Sequence, residues 1–294
     1  MLNHSFRRYA GTLADAQGLL SVERQTFREC PYTPTELRQR LQRPEVRLWL
    51  AVADGRVIGF AAGFLSAGIH GPRLEADLLA VDPPWQRRGI ATALLRRLRS
   101  EANGRCSVRG FVNMHNHASE GAFARAGFAP SSEIFRLMVY RIRGTVPRTI
   151  PEWGGSIGPL SGLPDAVEAA ALAPNLLDGE ALLRANQEPG TLLLTGQVDG
   201  AVAALAEYLE VHTPLYSGLW LETIAAAAGQ PRLMRPLIAA GVEQAKARGL
   251  DQVGCMALEG DWPLHAALLA EGFSPLDRYR IWTAAGSGPG EARS

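Results

Sequence analysis

Lysine is all but missing from this chain of 294 residues, where Lys246 stands alone beside 29 arginines. Arginine and alanine abound instead, the pattern of a GC-rich bacterial coding bias, so the absence carries no chemistry of its own. Cysteine is nearly as scarce. Cys30, Cys106 and Cys255 form an odd, widely separated set, which argues against a disulfide framework and offers no metal-ligand spacing. No His-x-x-x-His pair occurs, so no metal is expected. No apolar run reaches the length of a membrane span, and the N-terminal MLNHSFRRYAGTL lacks the apolar core of a signal peptide; a cytoplasmic protein with no membrane partner is expected. No basic patch interleaved with aromatics is found, which leaves nucleic acid outside the expected partners.

What is present is apolar content ample for two cores, and a charge that is near zero overall but unevenly placed. Residues 1–150 hold 22 arginines against 12 acids, whereas residues 151–294 hold 8 basic residues against 17 acids. A basic half suits a polyanionic ligand, and opposite halves also attract each other.

The chain repeats itself at an offset of 145 residues. Asp54-Gly55 matches Asp199-Gly200, Gly104 matches Gly249, Val108 matches Val253, and Gly127-Phe128 matches Gly272-Phe273, with Pro130 matching Pro275. Each Asp-Gly lies between apolar runs, a hairpin signal. Pro and Gly concentrate between Arg143 and Pro164, so two tandem domains are expected, 1–146 and 147–294, with Ser156 to Leu160 opening the second. The first copy reads as strand Ser5–Ala10, helices near Ala14–Thr26 and Thr33–Leu41, and strands Arg47–Ala53, Arg56–Leu65 and Arg73–Val81. Helix Ile90–Asn103, strand Cys106–Val112, helix Ala118–Ala126 and strand Ile134–Arg141 follow. That order predicts an α/β fold, a mixed sheet with helices on both faces.

The segment EADLLAVDPPWQRRGIATALL, from Glu75 to Leu95, is the most informative. The apolar run Leu78 to Val81 reads as a buried strand ended by Asp82-Pro83-Pro84, and from Ile90 apolar residues recur at helical spacing. The turn between them therefore presents the orphan N–H groups of a helix N-terminus at Arg88 to Ala91, which attract phosphate. Gly89 and Ala91 let a pyrophosphate approach the backbone, and Arg87 and Arg88 add charge.

The spacing Gln86-x-x-Gly89-x-Ala91 resembles the acyl-CoA pyrophosphate loop of the GNAT superfamily of N-acyltransferases. Downstream, Asn116, Ser119, Phe123, Gly127 and Phe128 resemble the same family's N-x-x-A/S-x-x-x-Y/F-x-x-x-G-F pattern. The resemblance covers residues 5–142 and implies two tandem GNAT-like domains, each a mixed, mostly antiparallel sheet flanked by helices and splayed between its fourth and fifth strands. It implies acetyl-CoA as cosubstrate, held by Gln86, Arg87, Arg88, Gly89, Ile90, Ala91 and Thr92, with Leu79, Ala80 and Val81 supplying backbone N–H groups to the acyl carbonyl and pantetheine. Asn116 and Ser119 either bind pantetheine or cap the following helix. Tandem members such as mycothiol synthase have a similar architecture, although there the C-terminal copy is the active one.

Glu75, on the fourth strand where several relatives carry a catalytic glutamate, is the expected general base, and alternation puts Asp77 on the same face. Phe123 stands where many relatives place a tyrosine that protonates the CoA thiolate, and a phenyl ring cannot donate a proton. Solvent, His115, His117 or Tyr140 are the alternatives. The loss also leaves open a noncatalytic CoA-binding or regulatory module instead of an N-acetyltransferase acting on a small-molecule or peptide amine.

The second copy departs from the pattern. At the offset positions Pro231, Met234 and Pro236 replace Gln86, Gly89 and Ala91, Asp261 replaces Asn116, and Trp220 and Glu222 replace Glu75 and Asp77. A fold retained without CoA binding is expected there. The expected assembly is a monomer of pseudo-dimeric domains with one acetyl-CoA per chain. The acceptor pocket is expected around Phe27, Tyr32 and a loop from Ser66 to Pro72.

Overall fold

A computed structural model describes residues 3–27, 30–142, 153–173 and 178–285. The first copy runs β1 (Ser5–Arg8), α1 (Leu13–Thr26), α2 (Pro34–Leu41), β2 (Val46–Ala53), β3 (Arg56–Gly68), β4 (Gly71–Val81), α3 (Ile90–Ser100), β5 (Ser107–Asn113), α4 (His117–Arg125) and β6 (Ala129–Arg141). The second repeats the order: β7 (Ser156–Pro159), α5 (Leu163–Leu172), α6 (Gly179–Asn186), β8 (Thr191–Val198), β9 (Ala201–His212), β10 (Ser217–Ala226), α7 (Met234–Ala247), β11 (Gln252–Leu258), α8 (Trp262–Ala270) and β12 (Ser274–Ala284). Of the Pro- and Gly-rich stretch between the copies, residues 143–152 lie outside the described residues.

Local chemistry sets these boundaries. Thr12 caps α1 by accepting from the Asp15 N–H at 3.1 Å, and Thr33 with Glu36 forms a capping box at α2. Both Asp-Gly pairs have positive φ at each residue, 48° and 74° at Asp54-Gly55 and 51° and 81° at Asp199-Gly200, the backbone a two-residue hairpin needs. Alternate residues of β2 and β3 feed two cores on opposite faces: Ala51, Ala53, Ile58 and Ala61 pack with α3 and α4, while Leu48, Leu50, Phe60 and Ala62 pack with α1 and α2.

The twelve strands of the described residues join one sheet, in the order β1-β2-β3-β4-β5-β12-β6-β11-β10-β9-β8-β7. Each copy gives its last strand to the other. β12 lies between β5 and β6, with Tyr279 opposite Asn113 and Ala284 opposite Val108, while β6 pairs with β11 from Arg141 opposite Gln252 to Phe135 opposite Leu258. The two exchanged strands also pair with each other around Phe135 opposite Tyr279 and Ile134 opposite Arg280. The 145-residue offset maps these two pairs onto one another, so a pseudo-two-fold axis passes between them.

The duplication extends to the irregularities. In the first copy Ala62 faces Leu78 and Gly63 faces Ala76, which leaves Asp77 as a bulge. In the second, Tyr208 faces Leu221 and Glu207 faces Thr223, which leaves Glu222 as the bulge. Such bulges bend a strand and re-aim a side chain. β4 pairs with β5 only from Arg73 opposite Ser107 to Ala76 opposite Gly110, so beyond the bulge the strands part, as the family resemblance implies.

Four strands separate β4 from β10 in the sheet, yet the two meet because the sheet curls. The segment Ser66 to Pro72 is not a free loop: β3 and β4 run on to Gly68 and Gly71, leaving Ile69 and His70 at the tip. Ile69 is buried among Leu160, Ala166, Leu193 and Leu205 of the second copy, its N–H donating to Glu207 Oε1 at 2.6 Å. A Cβ on Gly68 would overlap that carboxylate. His70 Nε2 lies 2.9 Å from Thr223 Oγ1, and the Tyr32 hydroxyl donates to Asp251 Oδ2 at 2.7 Å.

Candidate active site

The turn before α3 has the geometry of an anion cradle. A short 3-10 turn, Pro83–Trp85, follows β4; then Arg87 (φ 59°) and Gly89 (φ 79°) take left-handed backbone. The first intrahelical bond runs from the Ala93 N–H to Gly89 O at 3.0 Å, and no side chain caps the helix. The N–H groups of Ile90, Ala91 and Thr92 therefore lack helical partners. Gln86, Arg87, Arg88 and Gly89 are exposed. Gln86 Nε2 donates to Val81 O at 2.9 Å, tying the turn to the end of β4. The Arg88 guanidinium lies 5.0 Å from the Trp85 ring centroid.

The Asp82 N–H donates to Ile58 O at 2.9 Å. Alternation along β4 then turns the Ala80 N–H toward β3 and those of Leu79 and Val81 toward the open side where β5 has departed. The three expected backbone donors thus reduce to two that face the splay.

At the corresponding turn of the second copy no residue from Gln230 to Arg235 is left-handed. Leu233, with φ −72°, precedes α7 and is itself buried. Pro236 removes an N–H from the first turn of α7, and Arg235 Nε donates to Glu271 at 2.9 Å.

Asn116 caps α4, its Oδ1 accepting from the Ser119 N–H at 3.0 Å, and Asp261 caps α8 in the same way with the Leu264 N–H at 3.1 Å. Phe123 lies in the first core, its ring 4.9 Å from that of Phe128 and 6.2 Å from that of Trp282. It is 5 % exposed, and a Cβ on Gly110 would stand 2.8 Å from its ring. Of the alternative acids, His115 and His117 are exposed. Tyr140 belongs to the second copy's core, its ring 5.7 Å from that of Phe273, because β6 has crossed over.

The two carboxylates of β4 have different partners. Glu75 Oε1 accepts from Arg73 Nε and from Arg109 Nε. Glu222 Oε2 accepts from Nη2 of the same two arginines, at 2.7 and 2.8 Å. Two carboxylates and two guanidiniums thus form a neutral cluster joining the copies. Burial pushes the Glu75 carboxyl upward against the pull of Arg109 and Arg73; with two guanidinium N–H groups on one oxygen, the cluster accommodates the ionised form. Burial opposes ionisation of Glu222 as well, but Arg109 and Arg73 hold it below its ordinary value.

Asp77, two residues on, forms no ion pair among the described residues, and its Oδ2 has no hydrogen-bond partner. Burial, and then the charge of Glu75, push its pKa up to about 7, while the Tyr216 hydroxyl of the second copy pulls it back down. Burial and the Asp77 charge in turn raise the Tyr216 phenol well above its ordinary value. A carboxyl near 7 is matched to proton transfer at neutral pH.

Glu75 and Asp77 both line a cavity of about 880 Å³ between the two copies, with Tyr216, Trp220, Asp251 and Tyr279 of the second copy among its other walls. Pro31 and Phe64 line it too, whereas Tyr32 acts from behind through Asp251 and Phe27 packs in the core with α1 and α2. Glu222 was marked in the sequence by its offset from Asp77; Arg73, Arg109 and Tyr216 carry no motif.

Residues 16–128 match the acetyltransferase (GNAT) family. Over 135 residues the chain is 32 % identical to the N-alpha-acetyltransferase RimI of Mycobacterium tuberculosis, a span of 45 % of this chain and 83 % of that protein. Its fold is similar to that of a tandem GNAT protein from the clavulanic acid biosynthesis pathway, with TM-score 0.61 and 18 % identity over 97 % of this chain and 99 % of the other. A GCN5-related N-acetyltransferase from Sphaerobacter thermophilus is similar over 99 % of this chain and 98 % of its own, with TM-score 0.62 and 16 % identity.

Proposed function

This chain belongs to the GNAT acetyltransferase family, and from that premise we propose that it is an acetyl-CoA-dependent N-acetyltransferase that acylates a primary amine of a small molecule or peptide. The first copy, 1–146, is the active one, and the second, 147–294, is a degenerate partner that binds no cofactor. One observation carries the reading: left-handed Arg87 and Gly89 open α3 with uncapped N–H groups beside the splay of β4 from β5, and no such turn precedes α7.

In this reading the N–H groups of Ile90, Ala91 and Thr92, with Arg87 and Arg88, hold the pyrophosphate. The N–H groups of Leu79 and Val81 stabilise the oxyanion that forms when the amine adds to the thioester carbonyl. Asp77 takes the proton from the amine. Glu75, clamped by Arg73 and Arg109, ties the middle of β4 to β5 and keeps Asp77 partly protonated near neutral pH. The C–S bond then breaks, and with Phe123 unable to donate, the thiolate takes a proton from solvent. A thiol of pKa about 8.5 leaves well enough for that. Phe123 also supports a second reading, a noncatalytic acetyl-CoA sensor.

Calorimetry with acetyl-CoA, followed by CoA release across a panel of amines, separates the two. One site per chain is expected. Gly89→Leu should weaken binding at least about tenfold, a loss of about 1.4 kcal/mol, because it forces a side chain into left-handed backbone; Met234→Gly should leave binding unchanged. Two equivalent sites per chain would sink the assignment, and binding without turnover of any amine would favour the sensor.

A further inference from the structure

We infer that the second copy builds the acceptor half of the active site, and that the cavity between the copies takes a primary amine carried on an apolar, aromatic body without an anionic group. The inference rests on the acetyltransferase reading above and names the substrate class of that site.

The first argument is charge. A carboxylate or phosphate on the acceptor would need a free cation within the cavity. Both buried guanidiniums there, Arg73 and Arg109, are neutralised by Glu75 and Glu222. Among the described residues the remaining cation of the lining, Arg141, is exposed. It is outnumbered by Asp77, Asp251 and Asp277, which line the same cavity. Bringing an anion into that setting leaves a charge poorly compensated, whereas an ammonium group gains Asp77, a carboxylate with no ion pair among the described residues.

The second argument is surface. Beyond the ion cluster the walls are mainly aliphatic and aromatic, and the aromatic ones come from both copies: Phe64 and Phe111 from the first, Tyr216, Trp220 and Tyr279 from the second. The Tyr216 and Trp220 rings lie 6.2 Å apart at 46°, forming one continuous aromatic face. Tyr216 reaches Asp77 with its hydroxyl, so that face begins at the proposed base. Aromatic faces attract both flat apolar bodies and ammonium groups. At about 880 Å³ the cavity is of the size that encloses a small molecule.

The third argument concerns why a copy without the anion turn persists in the architecture. The curl that brings Tyr216 and Trp220 over Asp77 is fastened by Ile69 in the second copy's core and by the Arg73–Glu222 and Tyr32–Asp251 contacts. Without the second copy the site has one wall.

The test uses the full chain with acetyl-CoA and three probes: tryptamine, tryptophan and a tetrapeptide with a free N-terminal amine. Tryptamine should exceed tryptophan at least about tenfold in kcat/KM, since the two differ by the carboxylate. Trp220→Ala should raise the KM for tryptamine at least about tenfold with the acetyl-CoA Kd unchanged, and the milder Trp220→Phe, checked for its melting temperature, guards against a folding defect. Preference for tryptophan or the tetrapeptide, unchanged selectivity in both Trp220 variants, or no tryptamine binding by calorimetry in the presence of CoA would each overturn the inference. Failure to bind acetyl-CoA at all would instead overturn the acetyltransferase reading.

Discussion

The ring of Trp282, on the last strand of the second copy, lies 6.2 Å from the ring of Phe123 in the core of the first. Trp282 is 6 % exposed there and packs in the cluster that holds Leu94, Leu98, Val108 and Phe128. Met138 and Tyr140 of β6 make the reciprocal insertion among Tyr208, Leu219 and Val253. Each core is therefore completed by a side chain from the other copy, and neither copy is a closed folding unit.

Severing the chain between the copies should consequently leave neither half folded alone, whereas the two halves produced together should assemble one to one. Trp282→Ala should destabilise the whole protein by about 3–5 kcal/mol, the range for deleting a large buried aromatic. Denaturant titration and sedimentation check both; an isolated first half that unfolds cooperatively with full activity would refute the interdependence.

The element order and the anion turn were legible because they depend on local signals: apolar periodicity, Asp-Gly turns, and Gln86, Gly89 and Ala91 at fixed spacing. The strand exchange was not. Alternation in Leu137, Met138, Val139 and Tyr140 says which residues face inward, and it reads the same whichever neighbour the strand pairs with. Ser66 to Pro72 reads as a loop from its Gly and Pro, and becomes a hairpin tip because Ile69 has a pocket 90 or more residues away in sequence. Glu75 and Asp77 were both visible as candidates; their difference arises from Arg73 and Arg109, which in sequence look like solvated strand residues.

The two carboxylates should separate in kinetics. Asp77→Asn should lower kcat by about 10²–10⁴ while acetyl-CoA affinity holds, and should remove the ionisation near pH 7 from the pH–rate profile. Glu75→Gln should keep that limb but move it to lower pH, because the charge of Glu75 helps to raise Asp77, and should destabilise the fold by about 3–5 kcal/mol, since it strips one partner from a buried ion cluster. The reverse pattern, a surviving limb in Asp77→Asn and its loss in Glu75→Gln, would return the base to Glu75.

Tyr216→Phe isolates the hydroxyl of the second copy. That hydroxyl favours the charged form of Asp77 and so lowers its pKa from what burial and Glu75 would otherwise impose. Its removal should move the Asp77 ionisation upward and carry the acidic limb of the pH–rate profile to higher pH, with the plateau rate at high pH changed less than the rate at pH 7. A limb that stays put or moves downward would mean that Tyr216 does not bond Asp77 in solution.

Glu207 offers a test of the seam between the copies that is independent of catalysis. It is fully buried, accepts from the Ile69 N–H at 2.6 Å and from the Thr223 hydroxyl at 3.2 Å, and burial pushes its pKa from the ordinary 4.5 up to about 7. Below about pH 4.5 the carboxyl is protonated folded and unfolded, and it contributes no pH dependence. Between 4.5 and 7 the folded protein keeps a proton that the unfolded chain releases, so stability falls as pH rises, and above 7 the full cost is present. The shift corresponds to a cost on the order of 3 kcal/mol. Glu207→Gln keeps an oxygen for the Ile69 N–H and lets the Thr223 hydroxyl turn to accept from the new amide. It should therefore raise the melting temperature at pH 8 and change it little at pH 4.5, as thermal denaturation at the two pH values would show; an equal change at both would mean that the seam does not hold Glu207 as a strained carboxylate.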